Sequence, residues 1–341
     1  MRVSYRHFAF DTAEVAAHAG ARALVTGGAG FIGSRLCDLL YASGWTVCSA
    51  SRRRAGPASA HRHAQVDLTD TAATRALVTS VRPDYVFHLA SHVWPTTDLN
   101  FVLPTFHSNL HTTVNLLHAL AETGCRRVVI TGSQIEPDAH SGEAMPNIPY
   151  ALSKWASSQY VRMFHTLYQL PGVIARVFMV YGPGQNATKL IPYVIGSVLR
   201  GETPKLTSGQ RLGDWIYVDD VALGLARMSV ASIAAGRTID LGTGSLTSTT
   251  DLVGTIYKLM KSDAQPAFGA LPDRPTEPVR VARVDETRRD LGWAPETSLA
   301  DGLRRTIQWC ADSMTHGRSP SEGARRLDPR SQSAGPRQIV S

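Results

Sequence analysis

The sequence has few cysteines, no long apolar run and no secretory leader pattern. Its four cysteines, Cys37, Cys48, Cys125 and Cys310, form no Cys-x-x-Cys pair, which argues against a disulfide framework or a zinc site. No stretch reaches the roughly 18 apolar residues needed to span a bilayer, and charged residues interrupt positions 1–20. We therefore expect a soluble, cytoplasmic protein that is not exported and binds neither a membrane nor a metal ion.

Acidic residues are outnumbered, with 28 Asp and Glu against 35 Lys and Arg and a net charge of +7. The excess is concentrated: residues 312–341 hold five arginines and three acids, and "ASRRRAGPASAHRH" (residues 50–63) holds four arginines and no acid. No aromatic-rich basic ribbon or helix-turn-helix pattern accompanies it. We therefore expect no nucleic-acid partner.

Apolar strand patterns and amphipathic helix patterns alternate along the first half of the chain. "ARALVT" predicts a strand, a glycine turn follows, and a helix ends at Gly44; "TVCSAS" predicts the second strand. Further strands are predicted at "AQVDL", "PDYVFHLAS", "RRVVITGS" and "GVIARVFMVYG", and helices over about 70–80, around "NLHTTVNLLHALAETG" and from Tyr150. This alternation predicts an α/β protein with a Rossmann-type doubly wound parallel sheet and ligands at the carboxyl ends of its strands.

Beyond "YGPGQ" the pattern loosens and prolines punctuate shorter elements, as expected for a smaller lobe. We predict an N-terminal extension over 1–20, a dinucleotide-binding domain over 21–180 and a mainly substrate-binding lobe over 181–311, parts of which return to the sheet. A last helix is predicted from near Ser298. Residues 312–341 lack apolar periodicity and are predicted to form a disordered tail.

"TGGAGFIG" places glycines at positions 27, 30 and 33. This spacing also occurs in ordinary strand-to-helix connections, but here it lies in the first strand-helix unit of a doubly wound pattern. Glycine at these positions permits a tight turn, close approach of the backbone to a pyrophosphate and close packing of helix on strand. We predict that Gly27, Gly30, Phe31, Ile32 and Gly33 contact a dinucleotide.

Ser51, Arg52 and Arg53 stand at the tip of the second predicted strand. An acid at this tip binds the free ribose 2′-hydroxyl of NAD, whereas arginine attracts the 2′-phosphate of NADP. A solvated surface loop is the alternative. We predict that NADP(H) is preferred, with NAD(H) as the other candidate cofactor.

"YALSK" places Tyr150 and Lys154 one helical turn apart. A tyrosine that covers a lysine stem is the structural alternative, but "VVITGS" brings Thr131 and Ser133 to the same predicted sheet edge. We expect Ser133 to hydrogen-bond a substrate oxygen while Tyr150 exchanges its proton. We also expect the Lys154 ammonium to lower the pKa of the Tyr150 phenol.

The sequence resembles the extended short-chain dehydrogenase/reductase family, in particular its NAD-dependent epimerase/dehydratase group acting on nucleotide sugars. The matching pieces span about 21–310 and run in family order: "TGGAGFIG", "VDLTD", "DYVFHLAS", "NLHTTVNLLHAL", "VVITGS", "YALSK", "RVFMVYGPGQ", "DWIYVDDVA", "RPTEP" and "LGWAPETSLADGLRRTI". The resemblance implies an enzyme with Ser133, Tyr150 and Lys154 as its catalytic group. It also implies a homodimer.

The resemblance further implies two sets of binding residues. The cofactor would contact Asp67, Leu68, Leu89, Ala90, Ser91, Thr131, Tyr150, Lys154, Val177 and Phe178. The nucleotide-sugar substrate would contact His92, Ser133, Met179, Leu190, Arg211 and Arg274, the last of these at the diphosphate.

The sequence also departs from the family pattern. Gln134 and Ile135 stand where the dehydratases carry an Asp-Glu pair, so 4,6-dehydration is not expected. Met179 replaces an Asn that often touches substrate, which suggests a less polar sugar such as a deoxysugar. Gly213 replaces an Arg, for which Arg211 is the candidate substitute.

These observations predict an NADPH-dependent reductase of a nucleotide-linked 4-keto-6-deoxysugar. The first alternative is a nucleotide-sugar 4-epimerase with the same catalytic group and tightly bound NAD. The second is a regulator that senses NADP(H) and turns over no substrate, against which the intact catalytic group argues.

Overall fold

The structure is a computed structural model that describes residues 11–54, 60–137, 146, 148–233, 235–273 and 278–315. The strands are β1 (Arg22–Thr26), β2 (Thr46–Ser51), β3 (Arg62–Gln65), β4 (Tyr85–His88), β5 (Arg127–Ser133), β6 (Gly172–Val177), β7 (Met179–Tyr181), β8 (Leu212–Gly213), β9 (Trp215–Tyr217), β10 (Thr238–Leu241) and β11 (Thr247–Ser248). The helices are α1 (Ala13–Ala16), α2 (Phe31–Ala42), α3 (Thr71–Val81), α4 (Val102–Thr105), α5 (Thr112–Thr123), α6 (Pro149–Tyr168), α7 (Leu190–Leu199), α8 (Val218–Val230), α9 (Thr249–Met260), α10 (Val284–Leu291) and α11 (Leu299–Thr315). A 3₁₀ turn (Leu99–Phe101) precedes α4, and a π-helix (Phe106–His111) joins α4 to α5.

Seven strands form one parallel sheet in the order β10-β6-β5-β4-β1-β2-β3. The doubly wound fold predicted from the alternating pattern is confirmed. The third strand begins two residues and ends three residues earlier than predicted. After it, the Asp67 carboxylate accepts from the Thr69 backbone amide at 3.0 Å, in a turn that leads the chain out of the sheet.

Alternating residues along the strands supply two apolar cores, one on each face of the sheet. Val25, Phe87 and Val129 face a core completed by α2 and α8, which contribute the buried Leu36 and Val221. Leu24, Val86 and Ile130 lie in the opposite core, to which α3, α5 and α6 contribute Leu77, Leu116 and Val161. Burial on both faces explains why these strands are continuous apolar runs.

A smaller lobe has its own apolar core, built from α7, α9 and α11 around β7 and β9. Tyr181, Ile191, Ile256 and Leu303 are buried in it. Its last helix runs to Thr315, so residues 312–315 are helical and the boundary predicted for the tail is too early. The rest of the predicted tail, residues 316–341, lies outside the described residues. None of the helices described is long and apolar enough to cross a bilayer.

An ion pair joins α2, the helix after the glycine-rich loop, to α8, the helix that follows β9. Arg35 of α2 donates to both carboxylate oxygens of Asp219 at the start of α8, at 2.5 and 2.7 Å. The two side chains are only 12% and 8% exposed. The pair therefore fixes the position of α2, whose first turn follows the glycine-rich loop.

Replacing Asp219 with Asn should destabilise the fold by about 3 kcal/mol, since it leaves a buried guanidinium without its counter-charge. Urea unfolding measures this loss. The same substitution in an Arg35→Met background should cost much less. Equal losses in both backgrounds would show that the pair contributes nothing.

Candidate active site

The carboxyl ends of four neighbouring strands meet at one edge of the sheet. Thr26 of β1 is paired with His88 of β4, His88 with Ile130 of β5, and Ser133 of β5 with Val177 of β6. The glycine turn follows β1, and the predicted cofactor residues Leu89 to Ser91 follow β4. The register therefore brings the predicted cofactor and catalytic segments side by side.

The glycine turn is packed directly against the chain that follows β4. Gly27 has φ +70°, and a Cβ on it would lie 2.7 Å from the Ala90 amide nitrogen and 2.8 Å from the Leu89 carbonyl carbon. A Cβ on Gly33 would overlap the Gly27 carbonyl oxygen and approach Gly28 Cα at 2.8 Å. Both glycines are thus required by backbone contact, as the predicted dinucleotide turn demands.

The first turn of α2 presents its backbone amides at this glycine turn. Gly30 precedes the helix and provides no side-chain cap, and the helix begins at Phe31, with Ile32 and the buried Gly33 behind it. Uncapped amides at a helix N-terminus favour an anion. The cradle and these amides fit the pyrophosphate of a dinucleotide cofactor.

Two exposed arginines at the tip of β2 reach toward this cradle. The Arg53 guanidinium donates to the Ala29 carbonyl in the glycine turn at 3.2 Å. The Arg52 guanidinium donates to His92 Nε2 at 2.6 Å, across the gap between the tips of β2 and β4. Burial, Arg52 and Arg53 all lower the pKa of His92. His92, predicted to touch substrate, is thereby joined to the arginine segment.

Side chains of β3 hold the backbone of this arginine segment. Gln65 donates to the Arg52 carbonyl at 3.0 Å, and His63 Nε2 lies 2.8 Å from the Arg53 carbonyl. Ser51 donates its hydroxyl to the Arg53 carbonyl at 3.0 Å. The arginines are therefore carried on a fixed turn. Residues 55–59 of the same loop lie outside the part of the chain that the structure describes.

Ser133 and Tyr150 share a hydrogen bond at the end of β5. The tyrosine is 8% exposed, and burial raises the pKa of its phenol well above the usual value; the Ser133 hydrogen bond lowers that pKa and the Glu136 carboxylate raises it. The net shift is opposite to the predicted one. The chain by itself holds Tyr150 in the protonated, proton-donating form.

Lys154 lies one turn along α6 and is also buried. Its ammonium donates to the Thr131 carbonyl at 2.7 Å and to the Thr131 hydroxyl at 3.4 Å. The predicted lowering of the Tyr150 pKa by this lysine is not seen: the groups that act on the phenol are Ser133 and Glu136, together with burial. Burial lowers the pKa of Lys154 to about 8, while the Glu136 carboxylate acts to raise it.

The NAD-dependent epimerase/dehydratase family model matches residues 23–242, more than half of the chain. The chain belongs to this family. It is 30% identical over 334 residues to a dTDP-glucose 4,6-dehydratase of Neisseria gonorrhoeae, which covers 86% of this chain and 96% of that protein. It is also 30% identical over 313 residues to a UDP-glucose 4-epimerase of Mycolicibacterium smegmatis, covering 84% and 98%.

A solved structure of similar fold is DesIV, a dTDP-glucose 4,6-dehydratase from Streptomyces venezuelae with NAD and TYD bound. It has a TM-score of 0.78 and 28% identity, covering 87% of this chain and 98% of that one. The predicted resemblance to the family is confirmed by these matches. This epimerase/dehydratase family member is accordingly an enzyme that depends on a nicotinamide dinucleotide.

The other predicted cofactor residues of this family member lie at strand ends. Asp67 is exposed after β3, and Leu68 is buried with its carbonyl accepting from Asn115 at 2.9 Å. Val177 and Phe178 are buried at the end of β6, where the Phe178 amide donates to the Leu241 carbonyl at 3.1 Å. Their roles in binding remain predictions.

Residues predicted to bind substrate are spread over the smaller lobe. Met179 pairs with Trp215 across β7 and β9, and Leu190 begins α7. The Arg211 carbonyl accepts from the Thr249 amide at 2.9 Å. A Cβ on Gly213 would lie 3.0 Å from the Trp215 indole nitrogen, so the indole fills space beside it. Arg274 lies outside the described residues.

Asn109 is a site residue that the sequence analysis missed. It is buried in the π-helix, where its amide oxygen accepts from the His92 backbone at 2.8 Å and its amide nitrogen donates to Ser153 on α6 at 3.1 Å. It also bonds the predicted cofactor residue Ser91 at 3.2 Å. The helical pattern predicted a helix here but gave no sign of a local π turn, which turns this amide toward the site.

Buried His88 and Glu136 were also missed. His88 Nδ1 lies 2.7 Å from the Thr26 hydroxyl and its Nε2 lies 3.0 Å from the Thr113 hydroxyl; burial and the Lys154 charge lower its pKa to about 3. Glu136 lies directly behind Ser133. The sequence held a signal for His88, because a histidine at the end of an apolar strand indicates a buried polar contact. It held no such signal for Glu136, which follows β5.

Replacing Gly33 with Ala should weaken NAD(P)H binding by about tenfold, because the added methyl displaces the glycine turn from the helix that carries the phosphate-binding amides. Fluorescence titration of the reduced cofactor measures the change. Gly254→Ala on α9 is the matched control, since a Cβ there meets nothing within 4 Å. Unchanged binding in Gly33→Ala would contradict the assignment of the cradle.

Proposed function

We propose that this chain uses NADPH to reduce a nucleotide-linked 4-keto-6-deoxysugar to the corresponding 4-hydroxy sugar. The observation that carries the proposal is the placement of the buried Tyr150 phenol beside Ser133 at the cofactor edge of the sheet. Reduction of a ketone needs a proton donor at this point, and a tyrosine phenol is protonated at neutral pH.

The chemistry adds a hydride to the carbonyl carbon and a proton to its oxygen. The glycine turn and the first amides of α2 would hold NADPH, which would supply the hydride and leave as NADP⁺. The Tyr150 phenol donates the proton, and the Ser133 hydroxyl stabilises the negative charge that develops on the oxygen. Lys154 places a positive charge behind them, and a proton from solvent later restores the phenol.

Dehydration receives no support from the residues beside Ser133. Gln134 is buried, with its backbone amide bonded to the Val177 carbonyl at 3.2 Å, and Ile135 is apolar. Glu136 does not replace the missing acid pair, because both of its oxygens are bonded within the protein, to the Ser133 amide and the Ser158 hydroxyl. These contacts favour simple reduction over elimination of water.

The preference for NADPH is proposed from the arginine segment. Arg52 and Arg53 are exposed on a turn fixed by β3, beside the glycine turn, and no acid occupies residues 51–54 at the strand tip. Two guanidinium groups provide the multiple hydrogen bonds that a phosphate dianion prefers.

An exposed apolar face supports a homodimer. On α6, Leu152, Tyr160, Met163 and Leu167 are 43%, 37%, 37% and 61% exposed, and the neighbouring Phe106 is 44% exposed. Phe164 of the same helix is buried in the core of this chain. The helix thus has one face for the core and one left for a second copy.

Tyr150→Phe should abolish reduction, with a loss of at least about a hundredfold in kcat, because it removes the proton donor but leaves the ring in place. The assay incubates the protein with NADPH and a panel of nucleotide-linked 4-keto-6-deoxysugars and follows the loss of nicotinamide absorbance. Cofactor affinity should hardly change. Comparable activity in this variant would refute the role of Tyr150, and stoichiometric NAD copurifying with the protein would favour the 4-epimerase.

Replacing Arg52 and Arg53 with Ser should weaken NADP(H) binding by at least about tenfold while NAD(H) binding changes little, since charge-assisted hydrogen bonds to the 2′-phosphate are lost. Calorimetric titration with both cofactors measures the ratio. Arg126→Ser is the control. It removes an arginine whose side chain is 68% exposed and that precedes β5, at the amino ends of the strands and away from the cofactor edge. An equal loss for both cofactors would contradict the NADPH preference.

A further inference from the structure

Glu136 is a buried carboxylate that connects the two elements carrying the catalytic residues. It is 5% exposed and lies just beyond β5. Its Oε1 accepts from the Ser133 backbone amide at 2.6 Å, and its Oε2 accepts from the Ser158 hydroxyl on α6 at 2.7 Å. The end of β5, which carries Ser133, is thereby tied to the helix that carries Tyr150 and Lys154.

The backbone around Glu136 leaves room for its carboxylate. A Cβ on Gly132 would lie 2.7 Å from Glu136 Oε1, so a larger residue at this strand position would push the carboxylate away. Burial of an ionised carboxylate is costly unless it is hydrogen-bonded and paired with opposite charge. The contacts to Ser133 and Ser158 supply the hydrogen bonds.

Two cationic side chains from different elements lie near the Glu136 carboxylate. Lys154 on α6 and Arg176 on β6 both act electrostatically on Glu136 and favour its ionised form. Arg176 also forms an ion pair with Asp240, with 3.6 Å between its guanidinium nitrogen and the carboxylate oxygen, and its side chain is 8% exposed. Burial is the larger effect and raises the pKa of Glu136, but these cations and the two hydrogen bonds oppose it.

Among the residues that the structure describes, a further titratable group that faces this cluster comes from β4. His88 is buried near Lys154, and its two ring nitrogens lie beside the hydroxyls of Thr26 and Thr113. Because burial and the lysine charge lower its pKa to about 3, it stays neutral through the physiological range. Within the described part of the chain, the charges that act on one another around Ser133 are therefore those of Glu136, Lys154 and Arg176.

We propose that Glu136 is a positioning residue of this active site: its hydrogen bonds hold the end of β5, with Ser133, against α6, and its negative charge lies in the buried cluster around Lys154. A glutamine could make similar hydrogen bonds to Ser133 and Ser158, so the charge is what the acid adds. The inference rests on the Ser133, Tyr150 and Lys154 site of the proposed function, but not on which sugar is reduced.

The negative charge of Glu136 affects the protonation of both Tyr150 and Lys154. A carboxylate near a phenol disfavours the phenolate, so it raises the pH at which Tyr150 ceases to donate a proton. The same carboxylate raises the pKa of Lys154 against the effect of burial. Both effects extend the pH range over which the site holds a protonated phenol beside an ammonium, which is the state that reduction consumes.

The scarcity of lysine gives a direct test on the full-length protein. The chain has five lysines, Lys154, Lys189, Lys205, Lys258 and Lys261. Selective ¹³C labelling of the lysine ε-carbons therefore gives few NMR signals, and loss of one signal in Lys154→Arg assigns Lys154. Its titration midpoint is expected near 8 in the native protein.

Glu136→Gln should lower that midpoint by about one pH unit, because a neutral amide replaces the nearby negative charge. Glu136→Asp, which keeps the charge, should leave the midpoint close to the native one. Ser158→Ala should lower it only in part, because it removes a hydrogen bond that favours the ionised carboxylate. An unchanged midpoint in a folded Glu136→Gln protein would overturn the proposal. A midpoint lowered as far in Glu136→Asp as in Glu136→Gln would also overturn it, since the effect would then be structural.

Two further measurements keep the test decisive. If Glu136→Gln does not fold, the ¹³C carboxyl signal of Glu136 in the native protein reports its ionisation, and a protonated carboxyl at neutral pH overturns the proposal. With an active substrate, Glu136→Gln should shift the alkaline limb of the kcat/KM profile to lower pH. If the sugar panel gives no reduction but the Lys154 midpoint still falls, the proposed reaction fails while the role of Glu136 stands.

Discussion

The end of β5 is the constraint on which the rest of the active site depends. Its pairing with β4 and β6 places Ser133 at the edge where the glycine turn also ends. Lys154 bonds the Thr131 carbonyl, Tyr150 bonds Ser133, and Glu136 bonds the Ser133 amide, so three side chains from outside the strand converge on its last three residues. A shift of this strand by one residue would disrupt all of these contacts at once.

Burial gives these contacts their chemical effect. Charges in a dry site act on each other far more strongly than charges in water, so burial, the Ser133 hydrogen bond and the Glu136 carboxylate together set the pKa of the Tyr150 phenol. This arrangement differs from the acid pair expected of a family dehydratase beside the catalytic hydroxyl. In this chain Gln134 and Ile135 follow Ser133, and the buried Glu136 carboxylate bonds the Ser133 amide and the Ser158 hydroxyl.

Much of the fold and part of the site were predictable because they depend on local patterns. The second strand was predicted at its observed bounds, "TVCSAS", since apolar runs in parallel sheets are buried on both faces. The third strand was misplaced because the chain turns out of the sheet at Asp67, an effect that apolar periodicity does not register. The tail boundary was placed too early, because α11 continues to Thr315 through polar residues of low periodicity.

The sequence alone was sufficient for the family, the parallel sheet, the glycine turn and the placement of Ser133, Tyr150 and Lys154 at one edge, because each follows from spacing within a single element or from the alternation of elements. Tertiary structure decided the contact of Arg52 with His92, 40 residues away, and the burial of Asn109 and Glu136. It also reversed the expected pKa shift of Tyr150. The physical reason is that protonation and hydrogen bonding depend on what surrounds a side chain in three dimensions, and neighbours from distant segments are not encoded in local spacing.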